Sequence, residues 1–279
     1  MQSLLLPKCH FERLNAVMPV RPSQVMRLVH ENQPAHGVAV RLMDTIVPEF
    51  VSMIGFDAIW LDLEHHHLSV EKAAEMIRAA RAGGPADVVA RPGKGEFTRM
   101  ARLLEAGAKG IMYPRCESAA EAAEVVRWAK FPPLGERGLD GAAADNPYRL
   151  TPVADYLRQA NQETFLIAQI ESPGALDQAA AIAAVPGIDF LMLGPGDFSA
   201  SIGAPGQMNH PGVVAAHERV RAAAHGAGKH WAVTCFDMAH AGECLSKGAR
   251  LLFHGSDWRL VNNGLQQLVQ QARGLGAGG

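Results

Sequence analysis

The chain has 279 residues, of which 48% are hydrophobic and 19% charged, with a formal net charge of -2. That balance offers no polycationic surface to hold nucleic acid or an anionic membrane, and the longest apolar runs fall well short of the ~20 residues a helix needs to cross a bilayer. Four cysteines, Cys9, Cys116, Cys235 and Cys244, form no CxxC pair and no small-domain disulfide framework, so a reducing, cytoplasmic setting is expected.

In chain order, Met1-Gln-Ser-Leu-Leu-Leu-Pro7 is too short for a secretory core and is followed by Lys8, His10, Glu12 and Arg13; it reads as a leading arm. Residues 1–36 precede the first strand, and within them Arg21 to His30 is a candidate helix covering the bottom of a barrel. Eight short apolar runs then follow, over 37–41, 57–63, 87–91, 110–114, 165–170, 188–193, 230–235 and 250–254. They have the look of parallel strands buried on both faces. Helix-like segments rich in Ala, Glu and Arg separate them. Ser69 is the expected N-cap of one, and Ser118-Ala-Ala-Glu121 a candidate capping box for another. Alternating strands and helices predict a parallel α/β architecture, and a count of eight at this length predicts closure into one (β/α)8 TIM barrel over 37–273.

Two stretches depart from a minimal barrel. Residues 131–152 form a long loop, and 194–212, rich in Gly, Pro and Ser, hold no obvious element. Both follow strand ends, on the side where barrels build active sites. Residues 274–279 should be a frayed tail.

Charged groups leave that same side of several strands: Asp62, Glu64 and His65 after Ala58-Ile-Trp-Leu61, Arg91 after Val88-Val-Ala90, Glu171 after Phe165–Ile170, and Asp197 after Phe190–Leu193. Strand side chains alternate, so Asp62 shares a face with Glu64 and Gln169 with Glu171. Acidic and amide groups in an apolar lumen are costly to bury alone. A bound cation with the Arg91 guanidinium would satisfy them; so would a structural ion-pair layer with Arg91 and Arg137. Two carboxylates completed by waters and a substrate suit Mg²⁺ or Mn²⁺, with Co²⁺ a third candidate. Zinc is a poorer match, because three adjacent histidines, His65, His66 and His67, point in alternating directions. His65, three residues after Asp62, is the candidate general base, and a plain rim histidine is the alternative. None of the seven lysines stands at the C-terminal end of a strand, which argues against imine chemistry. Gly194-Pro-Gly-Asp-Phe-Ser199 could cradle a carboxylate or phosphate with backbone N–H groups ahead of a short helix. Arg41 has two readings, a distal-carboxylate binder or a partner for Asp44; the pair is the simpler.

Taken together, Gly55-Phe-Asp57 with Asp62-Leu-Glu-His65, Ala90-Arg-Pro92, Leu104-Glu-Ala-Gly107, Phe131-Pro-Pro-Leu-Gly-Glu-Arg-Gly138, Gln169-Ile-Glu171 and Gly194-Pro-Gly-Asp-Phe-Ser199 resemble the HpcH/HpaI aldolase family, the metal-dependent class II pyruvate aldolases. The resemblance implies a TIM barrel of the phosphoenolpyruvate/pyruvate type that cleaves a 4-hydroxy-2-oxo acid to pyruvate and an aldehyde. It implies that Glu171 and Asp197 hold the metal, and that His65, oriented by Asp62, is the acid/base group. It further implies that Arg91 stabilises the enolate, Gln169 supports the pyruvate site, Glu64 stands behind these groups, and the N–H groups near Gly196 and Asp197 take the carboxylate. Members tend to be hexamers that exchange the last helix, here about Asp257 to Arg273. Glu105 matches an acidic position that reaches a neighbour's site, where familiar members carry Asp. Arg41 and the His66-His67 pair depart from familiar members, and both bear on the aldehyde pocket. Oxaloacetate decarboxylation and malyl-CoA-like lysis would use the same enolate site; a silent metabolite-binding barrel is the non-enzymatic alternative.

Overall fold

A computed structural model describes residues 18–275; the expected arm over 1–17 and the tail beyond Leu275 lie outside the described residues. Eight parallel strands close in chain order: β1 (Ala35–Val40), β2 (Ala58–Asp62), β3 (Asp87–Arg91), β4 (Gly110–Tyr113), β5 (Phe165–Ile170), β6 (Phe190–Leu193), β7 (His230–Thr234) and β8 (Ala249–Ser256), with β8 pairing back to β1. The (β/α)8 barrel expected from the alternation is the fold observed. β3 and β5 coincide with the expected runs. β1 starts earlier, at Ala35, paired with Leu251, and β8 runs on to Ser256, paired with Ala39, with a register shift between Gly37 and Ala39.

Side-chain alternation sorts the strands into two cores. Ile59 and Leu61, Val88 and Ala90, and Leu166, Ala168 and Ile170 face outward and are buried under the helices. Ala58 and Trp60, Val89, Phe165 and Ile167, and Phe190 and Met192 fill the lumen. One step further along the inward-facing series come Asp62, Arg91 and Gln169, all buried. The lumen is thus apolar for most of its depth and polar only at its C-terminal mouth.

The other end is plugged. α1 (Gln24–His30) begins later than the expected Arg21, because Ser23 is its N-cap, accepting the Met26 N–H. The Ser23 hydroxyl also donates to buried Asp87 at 2.6 Å. Val25, Met26 and Val29 pack into the lumen beneath Phe165 and Phe253, the covering role read from the sequence. Around the barrel run α2 (Ile46–Met53), α3 (Val70–Gly83), α4 (Phe97–Glu105), α5 (Ala119–Ala129), α6 (Val153–Glu163), α7 (Pro173–Asp177), α8 (Ala179–Ala183), α9 (Pro195–Ser201), α10 (Pro211–Gly226), α11 (Met238–Ser246) and α12 (Asp257–Leu275). Ser69 and Ser118 cap α3 and α5 as expected. Glu121, however, closes back on the Glu117 N–H at 2.9 Å, one residue ahead of the N-cap. The long loop over 131–152 holds a single 3-10 turn, Pro147–Arg149. α9 corrects the reading of 194–212 as lacking any element, and α12 runs to Leu275, two residues into the stretch expected as a tail.

His217, on α10, escaped the sequence analysis. It is 8% exposed, lies edge-on to Trp231, Phe236 and His240, and neither ring nitrogen has a hydrogen-bond partner among the described residues. Burial, helped by His240, pushes its pKa down to about 4. The unfolded imidazole titrates near ~6.5, so below that pH the unfolded chain binds a proton the fold rejects, and stability falls as pH drops towards 4. The loss reaches on the order of 3 kcal/mol. Urea unfolding at pH 7 and pH 4.5 should show this slope, and His217→Phe should flatten it relative to the parent chain.

Candidate active site

The mouth of the lumen opens into a cavity of about 460 Å³. Its wall takes Trp60 from β2, Arg91 from β3, Gln169 and Glu171 from β5 and its exit, and Gly196 and Asp197 from α9, with His65 at the rim. Strand register explains the central ion pair: β2 and β3 align Asp62 directly with Arg91. Arg91 grips Asp62 in a fork, Nη2 to Oδ2 at 2.7 Å and Nε to Oδ1 at 3.0 Å. Its Nη1 donates to Gln169 at 3.3 Å, and the guanidinium lies 4.8 Å from the centre of the Trp60 ring. Burial alone would raise the pKa of Asp62; the Arg91 contact and the N–H groups of His65 and Glu64 outweigh it and hold the carboxyl below its ordinary range.

Glu171 is shaped by a different set of neighbours. One carboxylate oxygen accepts the Arg115 N–H at 2.8 Å. The other lies so close to Gly194 that a Cβ there would sit 2.0 Å from it. Burial pushes the Glu171 pKa up to about 7; Arg115 and Arg91 oppose the rise, while Asp197 and Glu64 add to it. Neighbouring carboxylates repel, and a divalent cation bound beside them would relieve the conflict. Gly194→Ala should therefore disturb this carboxylate before anything else, since its backbone conformation is an ordinary one (φ -88°). It should cost at least about a hundredfold in kcat/KM, on the scale of a misplaced catalytic group, with little change in melting temperature. Steady-state kinetics beside a thermal melt would check this.

Asp62 orients the His65 backbone, not its ring: Oδ1 accepts the His65 N–H at 3.4 Å. The carboxylate nearest the imidazole is Glu64, with Oε2 at 3.5 Å from Nε2. This Oε2 is buried, also 3.4 Å from Arg91 Nε, and makes no hydrogen bond among the described residues, whereas Oε1 pairs with Arg115 at 2.9 Å. The chain bends directly after Asp62, and that bend brings Glu64 beside Arg91 and the His65 ring towards Glu64. His66 is the histidine nearer Asp62, at 3.9 Å. Arg137 belongs to a separate layer with Asp145, at 2.8 Å, so the expected alternative of a layer shared with Arg91 does not form. Among the described ion pairs none joins Arg41 to Asp44; Arg41 lines the cavity, and Asp44 accepts the Ile46 N–H. Glu105, on α4, is half-buried near Arg137 and Asp145 and is absent from the cavity lining.

Arg115 and Trp60 were not singled out from the sequence, and Gly194 only as part of a possible anion cradle, not as the neighbour of Glu171. Arg115 sits in the left-handed region (φ 46°), a conformation unfavourable for arginine, while its N–H serves Glu171 and its side chain serves Glu64. Its only signal was a charged residue directly after the expected run 110–114, two positions past the end of β4.

Residues 40–264 match the HpcH/HpaI aldolase/citrate lyase family. The chain is 34% identical to a hydroxypyruvate/pyruvate aldolase of Paraburkholderia phytofirmans, over 87% of this chain and 95% of that protein. It is 32% identical to a 4-hydroxy-2-oxo-heptane-1,7-dioate aldolase of Salmonella arizonae, over 85% and 89%. An HpcH/HpaI aldolase/citrate lyase family protein from Burkholderia cenocepacia superposes with a TM-score of 0.83 at 32% identity, over 90% of this chain and 99% of that one.

The chain belongs to the HpcH/HpaI aldolase/citrate lyase family. It is a carbon–carbon lyase of that family, built on the family's barrel.

Proposed function

We propose that this chain is a divalent-metal-dependent aldolase that reversibly cleaves a 4-hydroxy-2-oxo acid into pyruvate and an aldehyde. The observation that carries the reading is the convergence of Glu171 and Asp197 with the Asp62–Arg91–Gln169 network at one barrel mouth. Glu171 and Asp197 fit a hard cation: both offer oxygen, and the close packing of Gly194 leaves the Glu171 carboxylate its place. Among the described residues no group of three or more His, Cys, Asp or Glu is placed to hold an ion. Two protein carboxylates, with water and substrate completing the shell, suit Mg²⁺ or Mn²⁺, with Co²⁺ a third candidate. When bound, the metal polarises the 2-oxo group as a Lewis acid.

The protein's own groups do the rest. His65 takes the proton of the 4-hydroxyl as the C3–C4 bond breaks, the hydroxyl carbon leaves as the aldehyde, and the bond's electron pair passes into the pyruvate enolate. Glu64 faces the resulting imidazolium. Arg91 keeps one Nη1 hydrogen free beside Gln169 and turns it to the keto oxygen, where negative charge develops. Asp62 holds that guanidinium in register. The first-turn N–H groups of α9 at Gly196 and Asp197 have no intrahelical acceptor and take the substrate carboxylate. The proton taken by His65 is returned, directly or through solvent, to C3, which releases pyruvate and restores the neutral imidazole. The aldolase names of relatives matching nearly the whole chain support the same reaction class.

Oligomeric assembly with exchange of α12 belongs to this reading. α12 presents Leu260, Val261, Leu265, Leu268 and Val269 to solvent, and Asp257 is its only buried residue. A hexamer would cover that stripe and would let Glu105 approach a neighbouring site. A cytoplasmic location agrees with the free, buried Cys116, Cys235 and Cys244, and no described helix is long and apolar enough to cross a membrane. The test is pyruvate release from a panel of 4-hydroxy-2-oxo acids with Mg²⁺ or Mn²⁺ present. Release identifies an aldolase; silence across the panel from folded, metal-loaded protein removes the reading.

A further inference from the structure

We infer that Arg115 is a positioning residue: through Glu64 it fixes the acid/base histidine, His65, relative to the carboxylate of Glu171. The inference rests on the aldolase reading and adds to it a residue that lies outside the cavity lining.

Cleavage of the C3–C4 bond needs two groups at once, charge stabilisation at the 2-oxo oxygen and a base at the 4-hydroxyl. Glu171 belongs to the first and His65 is the second, and they come from distant strands. Glu171 leaves β5 and His65 follows β2, with β3 and β4 between them. Arg115, in the turn after β4, reaches towards both. Its N–H donates to Glu171 Oε2 at 2.8 Å, and its Nη2 donates to Glu64 Oε1 at 2.9 Å. The turn itself is pinned on either side. The Arg115 carbonyl accepts Lys94 Nζ at 2.7 Å, and the Cys116 N–H donates to the Gln169 carbonyl at 3.0 Å. These bonds hold Arg115 at φ 46°, a left-handed backbone that strains an arginine and that glycine adopts freely.

Glu64 shows what the guanidinium does there. Its side chain is only 6% exposed, and buried polar atoms ordinarily have hydrogen-bond partners. Here Oε1 is held by Arg115, while Oε2 makes no hydrogen bond among the described residues. Arg91 does not satisfy it: its Nε lies 3.4 Å away and already donates to Asp62 at 3.0 Å. His65 Nε2 stands 3.5 Å from the same oxygen, at the edge of hydrogen-bond reach. A buried acceptor is costly until a donor arrives, and His65 carrying the substrate's proton is that donor. Among the described residues no other hydrogen bond or ion pair holds the His65 ring, so its aim depends on where Glu64 stands. An ion pair exposed on both sides contributes little. This one has a buried member that faces the base, and its exposed member is anchored to Glu171 by its own backbone.

The experiment follows pyruvate release from the best substrate of the 4-hydroxy-2-oxo acid panel, using the full-length enzyme with Mg²⁺. Arg115→Met keeps the stem and the backbone N–H and removes the charge. Arg115→Gly suits the left-handed backbone, so a loss shared by both variants does not come from strain. Each should lower kcat by about ten- to a hundredfold, the scale of a misplaced acid/base group, with KM and Mn²⁺ affinity by calorimetry within about threefold of the parent. Arg115→Lys, which can still offer Glu64 an ammonium, should exceed Arg115→Met in kcat by at least about threefold. Glu64→Gln should lose about as much as Arg115→Met, and the two losses should not add: combining them should cost less than about twofold beyond Glu64→Gln alone. Parent-level kcat in both Arg115→Met and Arg115→Gly, a fully additive double variant, or a loss matched by equally weakened Mn²⁺ binding overturns this inference and leaves the aldolase reading standing. Should Arg115→Met not fold, Arg115→Gly alone and combined with Glu64→Gln decides by the same criteria. No pyruvate from any panel member with folded, metal-loaded parent removes the aldolase reading and this inference with it.

Discussion

Glu171→Gln is expected to abolish turnover, lowering kcat/KM by about a thousandfold or more, while leaving the barrel folded. The magnitude is that of removing a group on which charge stabilisation in the transition state depends. The glutamine keeps an oxygen for the Arg115 N–H, so the turn after β4 retains its anchor. What it loses is the negative charge facing Asp197. The stability sign follows from the elevated pKa of about 7. A carboxyl whose folded pKa lies above its unfolded value of ~4.5 costs the metal-free fold stability as pH rises from that value to 7 and beyond. Chelated Glu171→Gln should therefore melt no lower than the chelated parent at pH 8, and Mn²⁺ titration calorimetry should show binding weakened by at least about tenfold, because a neutral amide replaces a charged ligand. Kinetics, melting and calorimetry together separate a lost ligand from a lost fold.

The second large effect is expected from Arg91→Lys, a change that keeps the charge. A lysine has one ammonium where arginine presents a planar fork. It cannot grip both oxygens of Asp62, donate to Gln169 and lie over Trp60 at once, as Arg91 does. The expected loss is about a hundred- to a thousandfold in kcat, the scale measured when one oxyanion-stabilising donor is removed. KM should change less, because the developing enolate, not the bound substrate, relies on the guanidinium. Leaving Asp62 buried with an incomplete partner should also destabilise the fold, on the order of 1–3 kcal/mol. Steady-state kinetics with urea unfolding would check both parts; a raised KM with kcat unchanged would assign Arg91 to simple binding.

Much of this site was legible because strands translate spacing into direction. Asp62, Arg91, Gln169 and Glu171 continue the inward-facing series of three strands, so an apolar run ending in a charged residue marks the barrel mouth in the sequence itself. Register did the remainder, aligning Asp62 with Arg91. The turns were harder to read. His65 meets Glu64 instead of Asp62 because the chain bends directly after β2, where period-two reasoning stops applying. α9 was hidden by Gly194, Pro195 and Gly196, residues that usually mark loops; here Pro195 takes the first helical position, where its missing N–H costs nothing. Arg115 reaches Glu171 through its backbone N–H, which any residue but proline could supply, so side-chain chemistry carried no signal of that contact. Arg41 appeared to have a local partner in Asp44, but Asp257, more than two hundred positions along the chain, fixes its backbone instead. Long-range contacts of that kind leave no local pattern.

The most direct test of the central claim is exchange of the pyruvate methyl protons with deuterated solvent, followed by NMR on chelator-treated enzyme before and after Mg²⁺ or Mn²⁺ is restored. Exchange needs the enolate and nothing from the aldehyde. The account predicts no exchange in the chelated enzyme, rapid exchange once metal returns, and none at any metal concentration in Glu171→Gln. Exchange that proceeds equally with and without metal, or that persists in Glu171→Gln, would contradict the role assigned to Glu171 and Asp197.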